Sequence, residues 1–308
     1  MRVLILGAGS MGCLLGGYLG RAGNEVFLLD SLPERVEPIE ATGILVEGVG
    51  GDFQAKARAG TAFEGPAPDA VLLCVKSYDT ERAARSLPAL LSPSSLVLTL
   101  QNGVGNIEQL ARHVPRDQLL VGTTSIGANL LRPGHVHHAG EGETHVGDLS
   151  GESLEPAQRL ARLLTEAKLP TSATADIGAL IWSKLAVNVG INALTAILRV
   201  RNGRLLSLES AASVMESAVR ECLDVAEASG VELDREAASR RVREVARLTA
   251  SNRSSMLMDV LGERRTEIDA MNGAVVRRGR ELGLPVPVNE TLTALVRCLE
   301  ESYGVQER

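Results

Sequence analysis

The chain is 308 residues long, 44% apolar and 23% charged, which is enough for two ordinary globular domains and too apolar for a disordered polymer. A net charge of −6 and an aromatic content of 2% speak against a nucleic-acid partner, which needs a basic face and rings for base stacking. No cleavable leader precedes the first strand pattern and no run of about 18 uncharged apolar residues is available to span a bilayer. The four cysteines, Cys13, Cys74, Cys222 and Cys298, are scattered, so the expectation is a cytoplasmic protein with reduced thiols and no membrane partner.

The first strand candidate, Val3–Leu6, runs into Gly7-Ala8-Gly9-Ser10-Met11-Gly12 and a helix over Met11–Ala22. This is GxGxxG between a strand and a helix: the first glycine permits a tight turn, the second admits a pyrophosphate, and the third lets helix pack on strand. Backbone amides of Ser10, Met11 and Gly12 at the helix start suit the diphosphate charge. The alternative is a glycine-rich packing turn. A second strand, Val26–Leu29, ends at Asp30, 23 residues after Gly7, where a carboxylate can bond both ribose hydroxyls and repel a 2′-phosphate. Taken alone it favours NAD over NADP. Its competing role is a solvated carboxylate capping the helix from Leu32.

Further buried strands are expected at Val71–Val75, Leu96–Leu100 and Leu119–Gly122, with a helix over Thr80–Leu91 and a hairpin from Ile44–Glu47 and Phe53–Ala57. Strand–helix alternation implies a mainly parallel, doubly wound sheet. Lys76 and Asn102 follow strand ends, which line the ligand crevice in such sheets; a surface lysine and an Asn-Gly turn are equally good readings of the two alone. Between Ser125 and Gly147 the pattern is antiparallel, with turns at Pro133-Gly134 and Gly140–Gly142, and a helix follows near Pro156–Ala167. From about Asp176 the periodicity is helical almost throughout. The expected division is residues 1–172, a dinucleotide-binding domain, and 173–308, a helical substrate and catalytic domain.

Within that second part, Lys184, Asn188 and Asn192 are spaced by four residues in the apolar stretch from Ala179 to Leu198. Four residues advance about 400°, so their side chains form one drifting polar stripe on a helix that is otherwise apolar all round and therefore buried. A buried ammonium or amide needs a partner, and a polar small molecule would supply one. A lysine reaching solvent beside two backbone-bonded asparagines remains the alternative. Ser254 or Ser255 could cap the helix beginning at MLMDVLG, and Glu267 could be a surface carboxylate paired with Arg264. Four histidines, His135, His137, His138 and His145, lack a recognisable ligand pattern, so no metal is expected.

In order along the chain, GAGSMG, CVKSYDT, LQNGVGN, VGTTSIGA, WSKLAVNVGINALTAI, NRSSMLMDV and RTEIDAMNG resemble the ketopantoate reductase (2-dehydropantoate 2-reductase) family over essentially the whole chain. The resemblance implies an α/β Rossmann-type N-terminal domain followed by an all-helical C-terminal domain of the 6-phosphogluconate-dehydrogenase-like kind. It implies NADPH-dependent reduction of 2-dehydropantoate, a 2-oxo acid, to pantoate in pantothenate biosynthesis. Lys184 matches the family's proton donor and Glu267 the glutamate that completes the site. Asn188, Asn192, Asn202 and Ser255 match substrate-binding positions; Lys76, Asn102 and Ala128 match positions lining the cofactor. NADP-using members commonly carry an arginine just after the second strand, where this chain has Asp30-Ser31, so NADH stays open beside NADPH. A paralogous reductase of another branched 2-oxo acid, a nicotinamide sensor without turnover, and a monomeric or homodimeric state also remain open at this point.

Overall fold

The computed structural model describes residues 1–149 and 153–304. The chain forms two compact units, one of Met1–Gln101 with Asn106–Ile177 and one of Asn102–Gly105 with Gly178–Arg308.

The first unit holds strands β1 (Arg2–Leu6), β2 (Glu25–Leu29), β3 (Ile44–Gly48), β4 (Phe53–Ala55), β5 (Arg58–Gly60), β6 (Ala70–Leu73), β7 (Leu96–Thr99), β8 (Leu119–Thr124), β9 (Gly127–Arg132), β10 (His135–Gly140), β11 (Thr144–Gly147) and β12 (Thr171–Ala173). Eight of them form one sheet in the order β12-β11-β8-β7-β6-β1-β2-β5. All its pairings are parallel except β11 with β8. Strands β6, β7 and β8 are buried along their whole length, as expected where helices cover both faces of a parallel sheet. The chain steps from β1 to β2 on one side and later returns to β6 on the other. That reversal is the topological switch point, the place where open α/β sheets bind ligands.

Helices α1 (Ser10–Arg21), α2 (Pro33–Thr42), α3 (Thr80–Ser86), α4 (Asn106–Leu110) and α5 (Glu155–Glu166) complete this unit. The helix expected over Thr80–Leu91 stops at Ser86 and continues as a 3₁₀ turn, Leu87–Ala89, because Pro88 has no N–H to donate and its ring crowds the preceding turn. The hairpin β3–β4 forms as the pattern indicated, but β3 also pairs in parallel with β10, making a second sheet β4-β3-β10-β9. Nothing local announces that pairing, since its strands lie some 90 residues apart in sequence.

The second unit is helical: α6 (Ile177–Leu198), α7 (Glu209–Ala228), α8 (Arg235–Leu248), α9 (Ser255–Leu261), α10 (Asn272–Glu281) and α11 (Pro287–Glu301), with 3₁₀ turns at Asn202–Ser207 and Ile268–Ala270. Helix α6 is long and apolar enough to cross a membrane by length and composition, yet it is the centre of a protein core. Leu185, Ala186, Val189, Ala193 and Ala196 are buried in one cluster with Met215, Val219, Val242, Val275 and Val296. A polar bolt crosses this core. Asn272 Nδ2 donates to the Val189 carbonyl at 3.3 Å and to Asn289 Oδ1 at 3.0 Å, and Asn289 Nδ2 donates to Glu221 Oε2 at 2.7 Å. It ties α10 and α11 to the helix that carries the polar stripe.

Candidate active site

In the first unit the glycine-rich loop has one distinct physical job per glycine. Gly7 adopts φ +104°, and a Cβ there would stand 2.8 Å from the Val75 nitrogen, so the loop can pass the end of β6 only without a side chain. A Cβ on Gly12 would stand 1.9 Å from the Gly7 carbonyl oxygen. At Gly9 a Cβ would meet nothing within 4 Å. The open space therefore lies over Gly9, at the start of α1, whose first turn has no side-chain cap. A diphosphate fits there, accepting from the uncapped amides. Gly12→Ala is expected to lower stability by about 1–3 kcal/mol through overpacking. Gly9→Ala is expected to leave the melting temperature alone and weaken dinucleotide binding about tenfold or more, roughly 1.4 kcal/mol. Thermal melts beside a fluorescence titration with NADH or NADPH check both; equal melting temperatures, or unchanged affinity in Gly9→Ala, would refute the assignment.

Asp30 departs from the solvated helix cap that its position in the sequence allowed. It is buried, at 9% exposure. Its Oδ2 accepts from the Ala8 amide at 2.8 Å and from Arg35 at 3.3 Å, and its Oδ1 accepts from the Leu32 amide at 3.1 Å. It thus fastens the glycine-rich loop to the end of β2 and orders the approach to α2, whose own N-cap, Leu32, makes no side-chain cap bond. A carboxylate oxygen has further lone pairs for a ribose hydroxyl. Ser10 Oγ accepts from the Leu130 amide at 3.1 Å, tying the loop to β9. Met11 and Ala128 are half-buried against the first core.

Lys76 is half-buried and precedes the 3₁₀ turn Ser77–Asp79, its carbonyl accepting from the Asp79 amide at 2.8 Å. Beside it stands a residue whose role the sequence did not disclose. Gln101 Nε2 donates to the Val75 carbonyl at 2.9 Å and to Thr80 Oγ1 at 2.8 Å, joining the ends of β6 and β7. Its only signal was its place before Asn102. Asn102 follows β7 but belongs, with Gly103–Gly105, to the helical unit. Gly103 has φ +87°, and a Cβ there would lie 1.9 Å from the Ala270 carbonyl oxygen, so the segment packs against the stretch just after Glu267.

In the second unit the structure couples Lys184 with Glu267. Burial pulls the Lys184 ammonium down from its ordinary value to about 8, and the Glu267 carboxylate acts against that, favouring the charged form. Glu267 is 7% exposed. It is not the surface partner of Arg264, which bonds Asp259 at 3.2 Å instead. Asn188 is half-buried on the same stripe, and buried Asn192 donates to the Met271 sulfur at 3.4 Å. Asn202 opens the 3₁₀ turn after α6. Its Nδ2 donates to Thr249 Oγ1 at 2.9 Å, while its Oδ1 is buried without a hydrogen-bond partner. An acceptor left in that state is suited to a ligand donor.

Ser254, not Ser255, caps α9. Ser254 Oγ accepts from the Leu257 amide at 3.0 Å and lies 2.7 Å from Thr195 Oγ1. Thr195 in turn donates to the Ile191 carbonyl at 2.9 Å. Each hydroxyl has one proton, so Ser254 donates to Thr195 and the chain of bonds runs back into α6. Ser255 is the exposed first residue of α9. Thr195 extends the Lys184 stripe by three residues and was missed because a threonine among alanines and leucines reads as core. Three of the four histidines have ordinary hydrogen-bond partners: His135 Nε2 lies 2.8 Å from Glu47, His138 Nδ1 2.9 Å from the Tyr18 hydroxyl, and His145 Nδ1 2.8 Å from Ser172 Oγ, while His137 Nδ1 stands 3.7 Å from Glu47.

Residues 3–151 match the family model for ketopantoate reductase PanE/ApbA, and residues 176–300 match the model for its C-terminal part. The chain is 42% identical over 304 residues to a 2-dehydropantoate 2-reductase of Halobacterium salinarum, covering 97% of this chain and 99% of that one. A protein of the same name from Archaeoglobus fulgidus is 38% identical, covering 97% and 98%. Among solved structures, a PanE/ApbA family ketopantoate reductase from Ralstonia eutropha JMP134 superposes with a TM-score of 0.90 at 38% identity, covering 98% of this chain and 99% of that chain. A D-mandelate dehydrogenase with NADH and anilino(oxo)acetate superposes with a TM-score of 0.93 at 30% identity, covering 99% and 100%. With both parts of the family matched and full-length relatives this similar, the chain belongs to the ketopantoate reductase family.

Proposed function

We propose that this chain reduces 2-dehydropantoate to pantoate with a nicotinamide cofactor, with Lys184 as proton donor and Glu267 as the carboxylate that keeps it charged. The observation that carries the reading is the half-buried ammonium facing a buried carboxylate on the helical unit. Reduction of a 2-oxo acid consumes one hydride and one proton. When bound, the nicotinamide supplies the hydride to the carbonyl carbon. Lys184 stabilises the charge that develops on the oxygen and then passes its proton to it. Asn188 and Asn192 lie one and two turns further along α6, and the free Asn202 Oδ1 offers an acceptor, so hydroxyl and carboxylate groups of the substrate have matching partners. Steady-state oxidation of NADH or NADPH with 2-dehydropantoate tests the reading directly; no turnover with either cofactor would sink it.

Asp30 points to NADH as the better cofactor. Its carboxylate is held at the end of β2 by three hydrogen bonds, where it repels a 2′-phosphate and can bond ribose hydroxyls. Arg35 is more exposed and already turned to that carboxylate. Asp30→Asn keeps an acceptor for the Ala8 amide and removes the charge. It is expected to melt near the parent temperature and to shift the NADH-to-NADPH ratio of kcat/KM toward NADPH. Asp30→Ala makes the same shift but leaves the buried Ala8 amide unpaired, at a cost of about 1–3 kcal/mol. Equal cofactor ratios in parent and Asp30→Asn would show that the carboxylate does not face the ribose.

A second reading follows from the dehydrogenase with NADH: a chain of this fold can serve a 2-oxo acid bearing a bulkier apolar group. A preference for such an acid over 2-dehydropantoate in the same assay would establish it.

A further inference from the structure

Glu267 ends residues 262–267, a connection between α9 and the 3₁₀ turn Ile268–Ala270 with no helix or strand of its own. A buried carboxylate in such a connection keeps its place only if neighbouring groups fix the backbone. Three side chains at the end of the chain do this. Glu300 Oε1 accepts from the Thr266 amide at 2.7 Å, and the Tyr303 hydroxyl donates to the Arg264 carbonyl at 3.2 Å. Arg297 donates through Nε and Nη2 to Asp269 Oδ1 at 3.0 and 2.5 Å. Residues 297, 300 and 303 are spaced by three, so they share one face of α11 and the turn that follows it. The opposite demand, a fixed seat for α11 itself, is met by Leu292, Thr293 and Val296 in the core.

We propose that Glu300, assisted by Arg297 and Tyr303, is a positioning residue for Glu267, so that the C-terminal helix sets the geometry of the Lys184–Glu267 pair; the inference rests on that pair being the reacting one. Thr266 is 2% exposed, so its amide cannot turn to water when Glu300 is lost, and the connection must move to find an acceptor. Any such movement takes the neighbouring Glu267 with it. The charges around this clamp are Asp259, Glu263 and Arg199 near the Tyr303 hydroxyl, and Arg265, which also faces Asp269.

The test compares Glu300→Ala, Glu300→Gln and Tyr303→Phe with the parent. Titration of Lys184 is followed without cofactor or substrate, by pH-dependent acetylation read by peptide mass spectrometry; kcat and KM are measured with 2-dehydropantoate. Glu300→Ala is expected to lower the Lys184 midpoint by about half a pH unit, because Glu267 no longer supports the ammonium. Its kcat should fall about tenfold through misplacement, with the KM for the nicotinamide cofactor unchanged. Glu300→Gln, whose amide oxygen still accepts from Thr266, should return close to the parent. A folded Glu300→Ala with parental titration and kcat overturns the proposal, and so does a Glu300→Gln as impaired as the alanine variant. If Glu300→Ala does not fold, Tyr303→Phe decides: a smaller fall in the Lys184 midpoint supports the clamp, and an unchanged midpoint overturns it. Should the parent fail to turn over 2-dehydropantoate, the Lys184 midpoints still answer the positioning question on their own.

Discussion

Replacing Lys184 with methionine or alanine is expected to lower turnover by about 10²–10⁴-fold, the usual range for a general acid, in a protein that still folds. The position of Lys184 makes a second effect separable from the first. Burial lowers its ammonium from the ordinary 10.5 to about 8, so folding disfavours the charged form. That cost is fully present below pH 8 and fades as pH rises toward 10.5, where the lysine is neutral in both states. Lys184→Met lifts that cost but strips the buried Glu267 carboxylate of its ammonium, so at neutral pH the gain in stability over the parent is expected in the double variant Lys184→Met/Glu267→Gln. Loss of turnover with a gain in melting temperature is the signature of a functional group held at a structural cost. Near-parental turnover in the folded variant would remove Lys184 from the mechanism. In the parent, an acid that titrates near 8 in the free protein should give a kcat/KM that is flat at neutral pH and falls as pH rises through that value. A pH–rate profile shows this, and a flat alkaline limb would contradict it.

Substrate choice should show the other large effect. 2-Dehydropantoate carries a carboxylate, a 2-oxo group, a gem-dimethyl carbon and a terminal hydroxyl. On the proposed reading Lys184 meets the oxo oxygen, and Asn188, Asn192 and the Asn202 Oδ1, which has no hydrogen-bond partner, meet the polar ends. A site built to bond a hydroxyl rejects an acid without one, since its own buried groups are left unpaired, a discrimination of up to roughly 10⁴–10⁵-fold. 2-Dehydropantoate is therefore expected to exceed 2-oxo-3-methylbutanoate in kcat/KM by at least about a hundredfold. A ratio near one, measured side by side, would assign the chain to a reductase of another 2-oxo acid.

Much of this was legible in the residues themselves. GxGxxG between β1 and α1, the apolar strands, and the four-residue spacing of Lys184, Asn188 and Asn192 are local signals, because strand and helix periods convert sequence spacing directly into shared faces. The role of Gly12 follows for the same reason, because its Cβ would meet the Gly7 carbonyl oxygen in the same turn, whereas that of Gly7 depends also on Val75 at the end of β6. The two-part organisation could also be read, from strand–helix alternation giving way to helical periodicity near Asp176.

The rest depended on partners distant along the chain, and spacing cannot name such partners. Asp30 reads from its place in sequence as a ribose-binding carboxylate, with a solvated cap as the competing role; only the return of the Ala8 amide to Oδ2 at 2.8 Å makes it a buried fastener of the loop. Glu267 reads as the surface mate of Arg264, because residues three apart face each other on a helix. Here there is no helix at that point, and Arg264 turns to Asp259. The cap of α9 fell to Ser254 over Ser255 because Thr195, 59 residues earlier, supplies an acceptor for its hydroxyl. The pairing of β3 with β10 and the hold of Glu300 on Thr266 are of the same kind. The sequence by itself determined most of the helices and strands and the shared face of Lys184, Asn188 and Asn192. Tertiary structure decided which charges are buried and what faces them, since burial and electrostatic coupling depend on distance through space.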